Sequence, residues 1–115
     1  MVLSPQLGLV LITTASEAEA HSLAQSLVKA RLAACVALTP IQSIYRWQGA
    51  IQNDSEYQLV IKTDLALFDQ IAAQVTQQHS YDVPEIIAVP MVKSTESYGQ
   101  WVMEQVGEEG RRGER

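Results

Sequence analysis

Residues 43–63, SIYRWQGAIQNDSEYQLVIKT, decide the fold of this chain. The stretch predicts two strands of a hairpin, broken at Gln48-Gly49, and after the break apolar and polar side chains alternate as in a strand with one buried face. The apolar set is Ile51, Tyr57, Leu59 and Ile61, and the polar set is Gln52, Asp54, Glu56, Gln58 and Lys62. At about 3.3 Å per residue the second strand reaches roughly 40 Å, longer than a domain of this size covers with its own helices. We therefore expect part of the hairpin to contact another copy of the chain.

The composition predicts a single globular domain. The chain has 115 residues, of which 47% are hydrophobic and 18% are charged, so it can bury a core without disulfides or metal ions. We expect this domain to cover residues 1–106. Residues 107–115, GEEGRRGER, contain three glycines and no apolar side chain, and such a segment is expected to be a disordered tail.

Charge and cysteine content narrow the classes of partner and location. The formal net charge is -5 and no basic stripe is present, so we expect no nucleic-acid partner. Cys35 is the only cysteine, which excludes an intrachain disulfide and is compatible with a reducing compartment. The apolar run at residues 7–12 is too short to span a bilayer. We therefore expect a cytoplasmic protein without a membrane span.

The first half of the chain predicts a strand, a helix and a second strand. Residues 7–14, LGLVLITT, form a continuous apolar run typical of a strand covered on both faces. Ser16 and Glu19 have the spacing of a capping box, and the following helix is expected to stop near residues 31–32. A second strand starts at Cys35, and Pro40 is expected to bend or break it.

The second half adds a helix, a strand and a last helix after the hairpin. Thr63 and Asp64 are good cap residues for a helix that ends near His79. Residues 86–92 predict the last strand, and Pro90 places it at a sheet edge or at a bulge. Ser94 is expected to cap the third helix.

This order of elements predicts an α+β fold of the ferredoxin-like class, βαββαβ plus a C-terminal helix, with a long β-hairpin. Such a sandwich has one antiparallel sheet with its helices on one face. The other sheet face and the overlong hairpin are then uncovered, and a closed symmetric oligomer would bury both. We expect three copies.

Four separated motifs resemble the CutA family of divalent-cation tolerance proteins. They are Ala33-Ala34-Cys35, Tyr45-Arg46-Trp47-Gln48-Gly49, Ile61-Lys62-Thr63 and His79-Ser80-Tyr81-Asp82-Val83-Pro84-Glu85. The resemblance covers residues 7–105. It implies a ferredoxin-like homotrimer similar in assembly to the PII signalling proteins, with a proposed role in tolerance to copper and other divalent metals.

The chain departs from the family pattern at five positions. Gln48 and Ala50 replace an acidic and a basic residue at the hairpin tip, and Ser80 replaces a proline. Thr13 and Gln78 stand where some members have a cysteine and a histidine, which are candidate metal ligands.

His79 and Cys35 are the candidate metal ligands of this chain. Imidazole binds copper, zinc and nickel, and a thiolate is a soft ligand. Each has a structural alternative, because a histidine at a helix C-terminus can cap carbonyls and a lone cysteine can act as a small buried hydrophobe. One cysteine and two histidines cannot complete a tetrahedral site alone, so any site needs carboxylates or a neighbouring subunit.

A second group of residues predicts a cleft or an interface. Its members are Tyr45, Trp47, Glu56, Lys62, Tyr81 and Asp82. Lys62 folded toward Glu56 or Asp82 would form a partly buried ion pair, which is either structural or marks a pocket for an anionic group. The aromatic residues either stack on a ligand or anchor an oligomer interface.

Two functions follow from these motifs. The first is a trimeric divalent-cation tolerance protein that binds or responds to metals such as copper, and the alternative is a PII-like signalling or scaffolding trimer that binds a small ligand in an intersubunit cleft. No nucleophile with an adjacent base, glycine-rich phosphate loop or paired-carboxylate motif is present, so we expect no enzymatic activity. No obligatory cofactor is expected, and Cu²⁺ or another divalent metal is the candidate ligand.

Overall fold

A computed structural model describes residues 6–107 and contains the predicted order of elements. The elements are β1 Leu7–Thr14, α1 Glu17–Lys29, β2 Cys35–Trp47, β3 Ala50–Asp64, a 3₁₀ turn Leu65–Leu67, α2 Phe68–Gln78, β4 Ile86–Pro90 and α3 Glu96–Gln105. The strands form one antiparallel sheet in the order β2-β3-β1-β4. The ferredoxin-like α+β fold is thereby confirmed. Of the expected tail at residues 107–115, only Gly107 is described, and residues 108–115 lie outside the described residues.

The hairpin of β2 and β3 turns at the predicted dipeptide. Gln48 and Gly49 have φ angles of 51° and 82°, which is the pair of left-handed conformations that a two-residue hairpin turn requires. Pairing then runs without interruption from Trp47–Ala50 to Cys35–Lys62. Strand β1 accompanies β3 only as far as the Thr14–Tyr57 pair. Residues 41–56 are therefore a free two-stranded arm, and they extend the molecule to 51 Å by 26 Å by 26 Å.

The expected break at Pro40 is wrong. β2 is continuous through Pro40, which pairs with Tyr57. Because β2 is an edge strand, the side of Pro40 that lacks an N–H can face away from the sheet without loss of a ladder bond. Pro90 has the same environment in β4 at the opposite edge, as predicted.

The core lies between one sheet face and the helices α1 and α2. Alternation along the strands directs every second side chain to this face. The buried residues there include Val10, Ile12, Leu59 and Ile61 from the sheet, and Leu23, Leu27, Ile71 and Val75 from the helices. Their burial stabilises the fold by about 1.5–3 kcal/mol for each large side chain.

The opposite sheet face is apolar and incompletely covered. It contains Leu9, Leu11, Val60, Ile87 and Val89, which we call the open sheet face. Leu11 pairs with Val60 and Ile87, so these side chains are adjacent on three strands. All are half-buried except Ile87, which is 47% exposed. The uncovered face that the fold class predicts is therefore present.

The helix caps differ from the predicted ones in three places. The Ser16 hydroxyl accepts the Glu19 amide as expected, but the Glu19 carboxylate binds elsewhere in the chain. Asp64 caps the 3₁₀ turn before α2 by accepting from the Ala66 amide. Thr95, not Ser94, caps α3, because its hydroxyl accepts from the amide of Tyr98.

Arg31 joins the ends of two helices. Helix α1 ends at Lys29, and Arg31 follows in a left-handed conformation with φ 63°, the position that usually holds glycine. Its Nε donates to Gly107 O at 3.1 Å, its Nη2 donates to Glu104 O at 3.3 Å, and its own carbonyl accepts from Gly107 N at 2.9 Å. The Arg31 side chain therefore binds one carbonyl in the last turn of α3 and one just beyond it.

No helix within residues 6–107 has the length and hydropathy required to span a membrane.

Two substitutions of Arg31 are expected to separate the effect of its side-chain hydrogen bonds from the effect of its left-handed backbone conformation. Arg31→Ala should lower the free energy of unfolding by about 2 kcal/mol, because both charged hydrogen bonds to α3 are lost. Arg31→Gly loses the same bonds but relieves a left-handed strain of roughly 1 kcal/mol, so its stability should lie between those of Arg31→Ala and wild type. Urea denaturation measures both, with Lys29→Ala as the control. Arg31→Ala at wild-type stability would show that the side-chain bonds contribute nothing.

Candidate functional site

A cleft of about 630 Å³ opens between the hairpin arm and the loop that joins α2 to β4. We call this the arm–loop cleft. It is lined by Thr13 of β1, by Ser43, Ile44, Tyr45, Trp47 and Glu56 of the arm, and by Tyr81, Asp82, Val83 and Glu85 of the loop. Its size is in the range of sites for small molecules.

The pairing of β2 and β3 places the arm residues on one wall. Ser43 pairs with Asp54 and Tyr45 pairs with Gln52, so alternate side chains of the two strands share a face. Glu56 is two residues beyond Asp54 and lies on the same face. This face continues the open sheet face past the end of β1.

Two tyrosine–carboxylate hydrogen bonds cross the site. Tyr81 Oη donates to Glu56 Oε2 at 2.6 Å and ties the loop to the arm, while Tyr45 Oη donates to Asp54 Oδ2 within the arm. Burial, followed by the hydrogen bond to Glu56, raises the pKa of Tyr81 above its ordinary value. The hydrogen bond to Asp54 is the main cause that raises the pKa of Tyr45. Both phenols therefore keep their protons near neutral pH and act as donors.

His79 holds the α2–β4 loop against β1. Its side chain is completely buried, Nδ1 lies 3.0 Å from the Tyr81 amide, and Nε2 lies 2.7 Å from Thr13 O. The amide can only donate, so we assign the neutral tautomer in which Nδ1 accepts and Nε2–H donates to the carbonyl. Both ring nitrogens are thus engaged within the chain.

Glu19 supplies a third anchor of the loop. Its Oε2 accepts from Ser80 N at 2.8 Å, and its Oε1 accepts from Ser80 Oγ at 3.0 Å. The same carboxylate lies 3.6 Å from Nδ1 of His79. A proline at position 80, which the resemblance leads one to expect, has no N–H or hydroxyl and could make neither bond.

The structure brings together five of the six residues predicted for a cleft or interface. Tyr45, Trp47, Glu56, Tyr81 and Asp82 all line the arm–loop cleft. Lys62 does not, because it lies six residues from Glu56 along β3, a distance of about 20 Å in a strand. The ion pair that the sequence suggested between Lys62 and Glu56 or Asp82 is therefore absent within residues 6–107.

The two candidate metal ligands lie far apart. Cys35 pairs with Lys62, which pairs with Leu9, whereas His79 contacts Thr13. Four residues of β1 separate these positions, or about 13 Å, so His79 and Cys35 cannot share one ion within a subunit. Residues 6–107 contain no group of three or more His, Cys, Asp and Glu side chains arranged to hold a metal. The role of either residue as a ligand stays a prediction.

Several residues of the site were not predicted from the sequence. Asp54 could have been found, because a two-residue turn at Gln48-Gly49 fixes the register that puts it near Tyr45. The spacing of Glu19 from Ser16 predicted that its carboxylate would cap its own helix, whereas the carboxylate accepts hydrogen bonds from Ser80. Glu85 belongs to a quoted family motif, but its place beside the arm was not predicted, because that place depends on tertiary structure.

The matching family model and the matching relatives belong to one family. The family model described as CutA1 divalent ion tolerance protein matches residues 8–105. The chain is 43% identical over 99 residues to the "Divalent-cation tolerance protein CutA" of Thermus thermophilus, covering 85% of this chain and 96% of that protein. It is 40% identical over 94 residues to "Protein CutA, chloroplastic" of Arabidopsis thaliana, covering 81% of this chain and 52% of that protein.

Solved structures show the same fold. The "Divalent cation tolerance protein (Cut A1)" of Thermus thermophilus superposes with a TM-score of 0.85 at 42% identity, covering 88% of this chain and 99% of that one. CutA from Synechococcus elongatus superposes with a TM-score of 0.86 at 40% identity, covering 92% of this chain and 95% of that one.

Removal of the Tyr81 hydroxyl is expected to destabilise the chain in a pH-dependent way. Tyr81→Phe loses a hydrogen bond to a carboxylate and should lower the free energy of unfolding by about 1.5 kcal/mol at pH 8. The raised pKa of Tyr81 means that the folded chain holds this proton more tightly than the unfolded chain. The wild-type advantage should therefore be complete below the ordinary tyrosine pKa of 10.0 and shrink as the pH rises through it. Urea denaturation at pH 8 and near pH 11, at one protein concentration, tests this, and a constant deficit would contradict it.

Proposed function

The chain belongs to the CutA1 family of divalent ion tolerance proteins, and from this premise we propose that it acts as a homotrimer in tolerance to divalent cations. The observation that carries the proposal is the family match, which extends over nearly the whole described chain. The open sheet face and the unpaired arm support the homotrimer. The names of the relatives support a role in tolerance to divalent cations.

The open sheet face supports the trimer. Leu11, Val60 and Ile87 are adjacent and incompletely buried, and an exposed apolar patch of this kind marks an interaction surface. The hairpin arm has no third strand beside residues 41–56, which leaves long unpaired edges. A ring of three subunits buries three copies of the open sheet face and lets each arm contact a neighbour.

The position of Cys35 supports a metal site formed between subunits. Its side chain lies on the same sheet face as Leu9 and Lys62, and it is half-buried. Assembly through the open sheet face therefore moves this thiol toward neighbouring copies, which can supply the further ligands. His79 can join such a site only if it gives up its bond to Tyr81 or to Thr13. We therefore propose weak binding of a soft or borderline metal, Cu²⁺ or Zn²⁺, with Cys35 as the more accessible ligand.

The arm–loop cleft favours a second function, a PII-like trimer that binds a small ligand. The cleft has the volume of a ligand site, and it combines aromatic side chains with hydrogen-bonding groups. This function needs no physiological metal. For either function we propose a cytoplasmic location, because a chain with a single cysteine is compatible with a reducing compartment.

Disruption of the open sheet face should break the trimer. Leu11→Arg places a charge where three strands present apolar side chains, so the assembly should dissociate or weaken strongly. Light scattering measures the mass, which we expect to be three times the 12.7 kDa chain mass for wild type. Val28→Arg is the matched control, because Val28 is exposed on α1 and should leave the mass unchanged. A wild-type monomer would overturn the proposed assembly.

Substitution of the candidate ligands Cys35 and His79 should weaken metal binding, whereas substitution of a histidine outside the site should not. Cys35→Ala should weaken Zn²⁺ binding by at least about tenfold, because a direct ligand matters at least as much as its supporting residues. Zn²⁺ is the cleaner probe in calorimetry because it has no redox chemistry with a thiol, and Cu²⁺ is measured in parallel. His79→Ala should have a smaller effect.

His21→Ala is the control for the metal titrations. His21 is exposed on α1, 3.7 Å from Glu17, so its loss should not change the affinity. Identical affinities for wild type, Cys35→Ala and His79→Ala would show that neither residue is a ligand.

A further inference from the structure

We propose that the arm–loop cleft binds a small organic cation, an amine or guanidine with an apolar body, between its aromatic side chains and its carboxylates. This inference rests on the second of the two proposed functions, the binding of a small ligand, and it names the chemical class of that ligand.

The charge of the cleft selects against anions. Its lining includes the carboxylates of Glu56, Asp82 and Glu85, and none of its lining residues is a lysine, arginine or histidine. The phenols of Tyr45 and Tyr81 add no positive charge and are already bonded to carboxylates. A phosphate or carboxylate ligand would meet only like charge here, whereas a cation gains favourable Coulomb energy from the whole lining. The anionic ligand considered for Lys62 does not fit this cleft, because Lys62 is not part of it.

The aromatic side chains select an organic cation. Trp47 is 57% exposed and Tyr45 is 41% exposed, so both rings are accessible on the arm. A cation over the face of an indole or phenol gains about 0.5–2 kcal/mol. A hydrated metal ion uses convergent oxygen ligands instead, and residues 6–107 contain no group of three or more His, Cys, Asp and Glu side chains that could hold one. Val83, which also lines the cleft, provides an apolar contact for the body of an organic ligand.

Glu56 provides a positioned acceptor for the head group. It is 7% exposed, and Tyr81 engages its Oε2. Each carboxylate oxygen can accept more than one hydrogen bond, so Oε1 remains for an N–H of the ligand. The bond from Tyr81 holds this carboxylate in place before the ligand arrives, which reduces the entropy cost of binding.

The volume of the cleft favours a free ligand over a side chain of another subunit. A single lysine or arginine head group fills far less than 630 Å³, whereas small-molecule sites measure about 300–1,000 Å³. We therefore take a free small molecule as the occupant, and the experiment distinguishes it from a basic side chain of a second copy.

Three probes of the same shape test the charge preference. Benzylamine is the cation, benzyl alcohol is the neutral analogue and benzoate is the anion. The full chain carrying Trp101→Phe leaves Trp47 as its single tryptophan, so its fluorescence reports on the cleft, and calorimetry gives the affinity. Benzylamine should bind at least about tenfold more tightly than benzyl alcohol, and benzoate should not bind.

Two variants and a control locate the binding. Glu56→Gln keeps an acceptor for Tyr81 but removes the charge, and it should weaken benzylamine binding about tenfold. Tyr45 also lines the cleft and bonds Asp54, two residues from Glu56, so Tyr45→Leu should weaken binding by a similar factor. Asp69→Asn makes the same change in net charge on the exposed start of α2 and should have no effect.

The other outcomes overturn the proposal in distinguishable ways. Equal binding of benzyl alcohol or benzoate, still sensitive to Tyr45→Leu, would show that the ligand class is wrong while small-ligand binding stands. If none of the three probes binds saturably, both the organic-cation proposal and the proposed small-ligand function of the cleft would be wrong. No binding to wild type, together with a loss of trimer mass in Glu56→Gln, would assign the cleft to a basic side chain of a neighbouring subunit.

Discussion

The structure depends on one mismatch in strand length. β2 and β3 pair over their whole lengths, but β1 stops at the Thr14–Tyr57 pair, so the two longer strands continue without a third. A two-stranded ribbon alone is marginally stable in water. The free arm therefore needs contacts from outside the sheet, and it obtains them from the α2–β4 loop and, as we propose, from neighbouring subunits.

The loop contact converts the arm into one wall of a cleft. Tyr81 reaches across to Glu56, while His79 and Ser80 hold the loop against β1 and α1. These bonds connect sequence positions that are 25 to 66 residues apart, and each is at least partly sheltered from solvent except the pair made by Ser80. The arm–loop cleft thus combines a wall of two paired strands with a loop that is held by its own side chains. Such an arrangement suits binding, because the acceptor groups are already positioned.

Particular residues show how far sequence reasoning reached. Gln48-Gly49 predicted the hairpin turn, since only a few dipeptides accept two left-handed conformations. Pro90 predicted an edge strand correctly, but the same argument predicted a break at Pro40, because it did not use the fact that β2 is also an edge. Glu19 was assigned to its own helix cap, and Lys62 to an ion pair, since spacing along a chain does not show which distant group a carboxylate or an ammonium meets.

The sequence by itself determined the order of elements, the turn of the hairpin, the two apolar sheet faces and the family. These are local properties, set by backbone sterics and by the periods of two and 3.6 residues over short stretches. Only the tertiary structure decided that Tyr81 meets Glu56, that Glu19 meets Ser80, that Lys62 stays apart and that the two candidate metal ligands lie in different places. The physical reason is that each of these contacts depends on strand order and register across the sheet, which bring together groups from different parts of the chain.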